Sequence, residues 1–108
     1  MASIRLTKTT IGVLEALLAA TPDSPAWGLS ICQDADLGSG TVYPILERLL
    51  SRGWIRSWPE EGSHPGRPAR RYYELTGEGR AALHQVHADR AERKAMQAAA
   101  AERRRQVG

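Results

Sequence analysis

Residues 37–54 read Leu-Gly-Ser-Gly-Thr-Val-Tyr-Pro-Ile-Leu-Glu-Arg-Leu-Leu-Ser-Arg-Gly-Trp, and this segment restricts the fold more than any other. Val42, Ile45, Leu46 and Leu49 recur at helical spacing, so the segment must be a helix with one face against a core. Gly53 supplies a residue that can turn left-handed and end it. At its start Ser39 is placed to cap the first free amides, and Gly40 and Thr41 leave that end unobstructed. Tyr43 and Pro44 fall off the apolar stripe, close to the same end. A proline in the first turn, or just past it, removes few backbone bonds. Bare amides at the positive pole of a helix dipole suit an anion, a phosphate included. The pattern predicts a recognition helix that enters a DNA groove by its N-terminus.

The flanking segments fit that expectation. Thr7 to Ala20 carries Ile11, Leu14, Leu17 and Leu18 on one helical face. Thr21-Pro-Asp-Ser-Pro is a turn cluster. Ser24 as cap and Pro25 as first helical residue then open a second helix through about Ala35, with Trp27, Ile31 and Ala35 one turn apart. Asp36 to Gly40 is the turn between the second and third helices, which together make a helix-turn-helix.

After Gly53 the period changes. Residues 54–58 alternate as a strand and residues 70–75 form a second. The segment between, Pro59 to Pro68, is rich in proline and glycine and reads as a hairpin loop, with Arg67, Arg70 and Arg71 on it or beside it. A hairpin with a basic tip after a recognition helix is the wing of a winged helix. Thr76 caps a further helix, and Arg80 to about Gln106 contains neither proline nor glycine. Its apolar residues are sparse (Leu83, Val86, Met96 and Ala98 to Ala101), so a helix of that length needs a partner helix or frays. The expected fold is mainly α with a small β-hairpin: a winged helix-turn-helix over residues 1–76 and a long C-terminal dimerisation helix over 77–108.

Composition narrows the function. The 108 residues carry 15 Lys+Arg against 12 Asp+Glu, and Lys8 and Lys94 are the only lysines, so the positive charge is almost wholly guanidinium. Arginine suits bidentate phosphate and guanine contacts. Cys32 is the single cysteine, which excludes an intrachain disulfide and favours a reducing compartment. No apolar run approaches the roughly 20 residues of a membrane helix, and the N-terminus lacks the apolar core of a signal peptide; a cytoplasmic location is expected. No nucleophile–base pattern, nucleotide-cradling loop or metal cluster points to an enzyme or a cofactor.

Each candidate also has a plainer reading. Ser39, Gly40 and Thr41 could be an ordinary helix start, and Tyr43 could pack on the wing rather than reach a phosphate. Strand alternation sends Arg70 and Arg71 to opposite faces, so Arg70, with Arg67, is the choice for DNA, while Glu60 and Glu61 could neutralise part of that charge. Arg48 and Arg52 lie further down the recognition helix. Trp54 and Trp58 share one face of the first strand and read as core or hairpin packing, and Trp27 and Cys32 as core. His84 and His87 share a helical face, but two ligands make a weak metal site; His64 sits in the hairpin loop.

Several of these segments together resemble the PadR family of winged-helix transcriptional regulators over about residues 8–83. The matching motifs are Trp27-Gly-Leu-Ser-Ile, Gly38-Ser-Gly-Thr-Val-Tyr-Pro-Ile-Leu-Glu-Arg-Leu, Gly53-Trp-Ile, Gly66-Arg-Pro-Ala-Arg-Arg-Tyr-Tyr-Glu-Leu-Thr and Gly77-Glu-Gly-Arg. The resemblance implies a homodimeric regulator, usually a repressor, on an inverted-repeat operator in double-stranded DNA. It implies in many members a small-molecule effector that releases the DNA. It places Ser39, Thr41, Tyr43 and Pro44 on the DNA-facing side of the recognition helix and Gly66, Arg67 and Arg70 in the wing. Trp27-Gly28 stands where many members have Tyr-Gly. Every aromatic residue lies between Trp27 and Tyr73, so the C-terminal helix lacks the aromatic platform of drug-binding members. The alternatives are a ligand- or metal-responsive sensor of the same fold and a winged-helix protein-interaction module.

Overall fold

The computed structural model describes residues 6–107; residues 1–5, where a signal peptide would begin, lie outside them. Its elements are α1 (Lys8–Ala19), β1 (Ala26–Trp27), α2 (Gly28–Ala35), α3 (Ser39–Ser51), β2 (Ile55–Pro59), β3 (Arg71–Leu75) and α4 (Gly77–Val107). The Thr7 hydroxyl caps α1 by accepting from the Thr10 amide at 3.2 Å. Val13, Leu14, Ile31, Val42, Leu46 and Leu49 are each no more than 1% exposed, so α1, α2 and α3 share one core. Leu18, expected on the buried face of α1, is instead 42% exposed. Its neighbour Leu17 takes the core position in that last turn at 3% exposure, and Leu18 points off to the side.

The second helix starts later than the sequence suggests. Ser24 caps nothing helical; it closes a turn with Thr21, whose backbone it meets in both directions at 3.0 and 3.2 Å. Ala26 and Trp27 then pair antiparallel with Tyr73 and Tyr72. The free edge of β3 offers these residues backbone partners and a buried seat for Ala26, and this tertiary pairing overrides the local Ser-Pro helix signal. Helix begins only at Gly28, where the Ser30 hydroxyl accepts from the Trp27 amide and donates to the Trp27 carbonyl, both at 2.9 Å. Trp27 is therefore not a core residue; its strand position leaves it half-buried at the surface.

Asp36 ends α2 in the left-handed region at φ 55°, and the Leu37 amide reaches back to the Cys32 carbonyl at 3.0 Å. Cys32 packs half-buried at the edge of the core. Gly38, not Ser39, is the cap of α3: its carbonyl accepts from both Thr41 and Val42 at 3.0 Å, and no side chain caps the end. Ser39 has already turned helical there, so its hydroxyl is not spent on the first amides. At the other end Gly53 adopts φ 73°, and the Trp54 amide bonds the Leu49 carbonyl at 3.0 Å.

The sheet runs β1-β3-β2, all antiparallel, with Ile55 opposite Leu75 and Pro59 opposite Arg71. Sequence signals reveal the β2–β3 hairpin but not the third strand. Thr76 then caps α4, accepting from the Gly79 amide at 3.2 Å and donating to the Gly53 carbonyl at 2.6 Å. Gly79 lies so close to the Trp54 carbonyl that no side chain would fit between them. Leu83 is 1% exposed and joins the core, with Val86 packed at its edge. Past Arg93, which lines a crevice with Lys8 and Ile11, the helix leaves the body of the protein; Met96 is 65% exposed, and the molecule measures 69 × 31 × 26 Å. Among the described residues no helix is long and apolar enough to cross a membrane.

Candidate nucleic-acid interface

The alternation of α3 between core and solvent decides what it can present. Its stripe, Val42, Ile45, Leu46 and Leu49, is at most 3% exposed, whereas Ser39, Gly40, Thr41, Tyr43 and Pro44 all face solvent. With only a glycine at the cap, the amides of Ser39 and Gly40 point out of the helix without a side-chain acceptor. Pro44 sits in the second turn, where its missing N–H leaves the Gly40 carbonyl without its helical donor. The exposed end of α3 is thus small, polar and open. Tyr43 is 46% exposed and leans its hydroxyl over Gly28, at a spot that a Cβ on residue 28 would occupy. That contact gives the Trp27-Gly28 pair its physical meaning: the strand residue presents a ring, and the glycine makes room for a second one.

The wing is organised by one carboxylate. Glu60 lies just past β2, and its amide bonds the Arg70 carbonyl at 2.7 Å, closing the hairpin loop. Its carboxylate accepts from both Arg67 terminal nitrogens at 2.8 and 3.1 Å, from the Arg70 amide at 3.0 Å and from the Tyr72 hydroxyl at 3.0 Å. The Arg67 guanidinium, then the Arg70 amide, hold the Glu60 carboxyl far below the usual glutamate range. Arg67 also donates to the Pro68 carbonyl and to His64 Nδ1, both at 3.2 Å. Arginine has no acceptor, so His64 accepts at Nδ1 and its Nε2 donates, with the Glu61 carbonyl at 2.9 Å.

Arg70 just precedes β3 and Arg71 opens it; both border the cleft between α3 and the wing, but their guanidiniums take different partners. Arg71 turns to the Ser57 hydroxyl at 3.0 Å. The Arg70 guanidinium lies over the Trp27 ring, 3.9 Å from its centroid. Trp27, Gly28, Tyr43, Arg70 and Tyr73 line a cleft of about 430 Å³ between α3 and the wing, with Arg67 at its rim. Burial, with Tyr43 nearby, pushes the Tyr73 phenol up from its ordinary value. Elsewhere on the hairpin Arg56 pairs with Glu74, and Trp58 packs on Tyr72 with ring centroids 6.0 Å apart.

The structure thus brings Tyr43 and Arg70 to one cleft, with Ser39, Gly40, Thr41 and Pro44 exposed at the adjoining end of α3. It commits the Arg67 charge internally. Sequence reasoning missed Glu60 as the centre of the wing and Trp27 as the floor of the cleft. The run of Arg67, Arg70 and Tyr72 opposite a carboxylate just past the end of the first hairpin strand was the available signal for the first. The second had none, because it depends on the short strand β1. His84 makes no contact with His87 that could build a metal site; His87 Nε2 instead lies 3.9 Å from Glu15. Among the described residues no group of three or more His, Cys, Asp or Glu could hold a metal ion.

Comparison with known proteins agrees with this architecture. The model of the transcriptional regulator PadR-like family matches residues 17–85. Curated proteins give no significant match. The chain is similar to a PadR family transcription regulator from Clostridium difficile R20291, at 26% identity and TM-score 0.68, over 84% of this chain and 96% of that one. It is also similar to a PadR family transcriptional regulator from Eggerthella lenta DSM 2243, at 29% identity and TM-score 0.59, over 76% of this chain and 73% of that one. A MepR variant from multidrug resistant S. aureus shares the fold at 16% identity and TM-score 0.71, over 86% of this chain and 63% of that one. With a family match spanning α2, α3, the wing and the start of α4, the chain belongs to the PadR-like family of transcriptional regulators.

Proposed function

We propose that this regulator binds double-stranded DNA in the cytoplasm as a homodimer and represses transcription from an inverted-repeat operator. The first two turns of α3 enter the major groove through Ser39, Gly40, Thr41, Tyr43 and Pro44, and the wing lays Arg70 on the flanking backbone. Arg67 adds a contact only where the DNA draws it away from Glu60. The observation that carries this reading is the division of α3: every apolar residue of its stripe is buried, and the opposite, glycine-capped end is solvent-exposed and bordered by arginine. Free amides and the helix dipole favour a phosphate there. The distal half of α4, exposed from His87 to Ala99 and carrying Met96 and Ala98 to Ala101, supports dimerisation. A lone helix of that composition has too little to bury, and a two-fold partner doubles the base pairs read.

Footprinting on the DNA upstream of its own gene tests the reading. Two protected half-sites about 10 base pairs apart, or a multiple of that spacing, are expected. If each protomer neutralises about two phosphates, raising salt fourfold weakens binding about a hundredfold. Binding that ignores salt would favour the protein-interaction reading instead. Ending the chain after Ala88, beyond Leu83 and Val86, leaves the core whole and is expected to give a folded monomer by light scattering. A persistent dimer would remove distal α4 from the interface.

A further inference from the structure

We infer that Trp27 is a positioning residue for DNA recognition: its ring is a splint that holds the Arg70 guanidinium at the mouth of the cleft with its hydrogen-bonding edge free. This inference rests on the DNA-binding reading above. The two wing arginines differ in how they are held. Arg67 spends its donors edge-on, on the Glu60 carboxylate, His64 Nδ1 and the Pro68 carbonyl. An approaching phosphate must compete with a carboxylate already in a bidentate pair. Arg70 is held by its face instead, 3.9 Å above the Trp27 centroid. Stacking on an aromatic ring occupies the π-face of a guanidinium and leaves its in-plane N–H groups for a phosphate or a guanine edge.

Both partners of the stack are anchored through their backbones. Glu60 takes the Arg70 amide on its carboxylate at 3.0 Å and gives its own amide to the Arg70 carbonyl at 2.7 Å. Trp27 is fixed by pairing with Tyr72 and by the Ser30 hydroxyl on its amide at 2.9 Å. Arg70 thus carries little of the rotamer freedom that an exposed arginine normally loses on binding. The stack also ties the wing to β1, the strand that leads directly into α2, so wing and helix-turn-helix present their contacts in fixed relation. This gives β1 a purpose beyond the two residues it adds to the sheet.

The test uses the full chain and a fluorescein-labelled, mixed-sequence 30-base-pair duplex at low salt, read by anisotropy, with thermal unfolding as the control for folding. Arg70→Ala is expected to bind about tenfold more weakly, with a shallower salt slope, as loss of one phosphate contact per protomer requires. Trp27→Leu, which keeps apolar bulk but no π-face, is expected to lose most of the same affinity, and Trp27→Phe to recover most of it. The double variant Trp27→Leu with Arg70→Ala is expected to bind like Arg70→Ala alone, because the two residues act through one contact. Arg70→Lys keeps the charge, leaves the aromatic untouched and is expected to bind more weakly than the wild type. In the free protein the Arg70 side-chain protons are expected upfield by ring current, a shift lost in Trp27→Leu and kept in Trp27→Phe. The splint is overturned if Trp27→Leu or Arg70→Lys binds like the wild type, if the losses multiply in the double variant, or if the ring-current shift is absent. A wild-type chain that keeps the shift but does not bind the duplex overturns both the DNA reading and the positioning role, and leaves only the stack of Arg70 on Trp27.

Discussion

The third helix and the wing face the same side of the molecule, yet they are stabilised in opposite ways. α3 is held entirely from behind: Val42, Ile45, Leu46 and Leu49 sink into the core, and its front carries small groups that bond to nothing in the protein. The wing has almost no core of its own. Residues 60–70 are held by polar contacts within the hairpin, most of them converging on Glu60. A surface braced by burial can leave its polar groups open for a ligand. One braced by its own ion pairs cannot, except where a side chain is held by something other than its charge, as Arg70 is by Trp27.

This contrast predicts graded effects. The largest belongs to the rear of α3. Leu46→Ala, at a position 1% exposed, is expected to destabilise the whole domain by about 3 kcal/mol in chemical unfolding and to lower every contact on the front face with it. Next is the seam between the two regions. Gly28→Ala puts a Cβ into the Tyr43 hydroxyl, and because that end of the ring is half-exposed and can swing, about 1 kcal/mol is expected. The altered Tyr43 environment should be visible in its aromatic proton shifts.

Glu60→Gln separates the regions. The global melting transition is expected to stay in place while the Arg70 amide exchanges faster with solvent; equal loss at α3 would mean that the two are not independent. Acid gives the same test without a substitution. The folded pKa of Glu60 lies below its unfolded value of about 4.3, so its contribution is complete above that pH and disappears only as pH falls through the lower folded value. The Arg70 amide should therefore remain protected near pH 4, where ordinary carboxylates already take up protons. The smallest effect on stability is expected at the front of α3. Thr41→Ala should shift unfolding by no more than about 0.5 kcal/mol while weakening duplex binding in the anisotropy assay.

The same contrast explains what could be read from the residues alone. α3 was legible because burial writes a periodic pattern and glycines mark its ends; only the cap was displaced, from Ser39 to Gly38. The hairpin was legible from alternation around a proline-rich loop, and α4 from an uninterrupted helical composition. What was hidden depends on partners distant in sequence. β1 exists because β3 has a free edge 45 residues further on, counted from Trp27 to its partner Tyr72, and no local propensity encodes that. Trp27 followed from it: assumed helical, it falls into step with Ile31 and reads as core. Glu60 looked like a charge that dilutes the arginines, and its four bonds emerge only when the loop folds back over it. Leu18 fits the apolar stripe of α1, but in the last turn Leu17 takes the core position and leaves Leu18 to solvent.

The most direct test of the account is an amide chemical-shift titration of the full chain with the footprinted duplex. The predicted result is that Ser39, Gly40, Thr41 and Tyr43 in α3, together with Arg70 in the wing, shift most, while residues along distal α4 stay unchanged. Shifts concentrated on α4 or on the outer face of α1, with the Ser39 end silent, would contradict it.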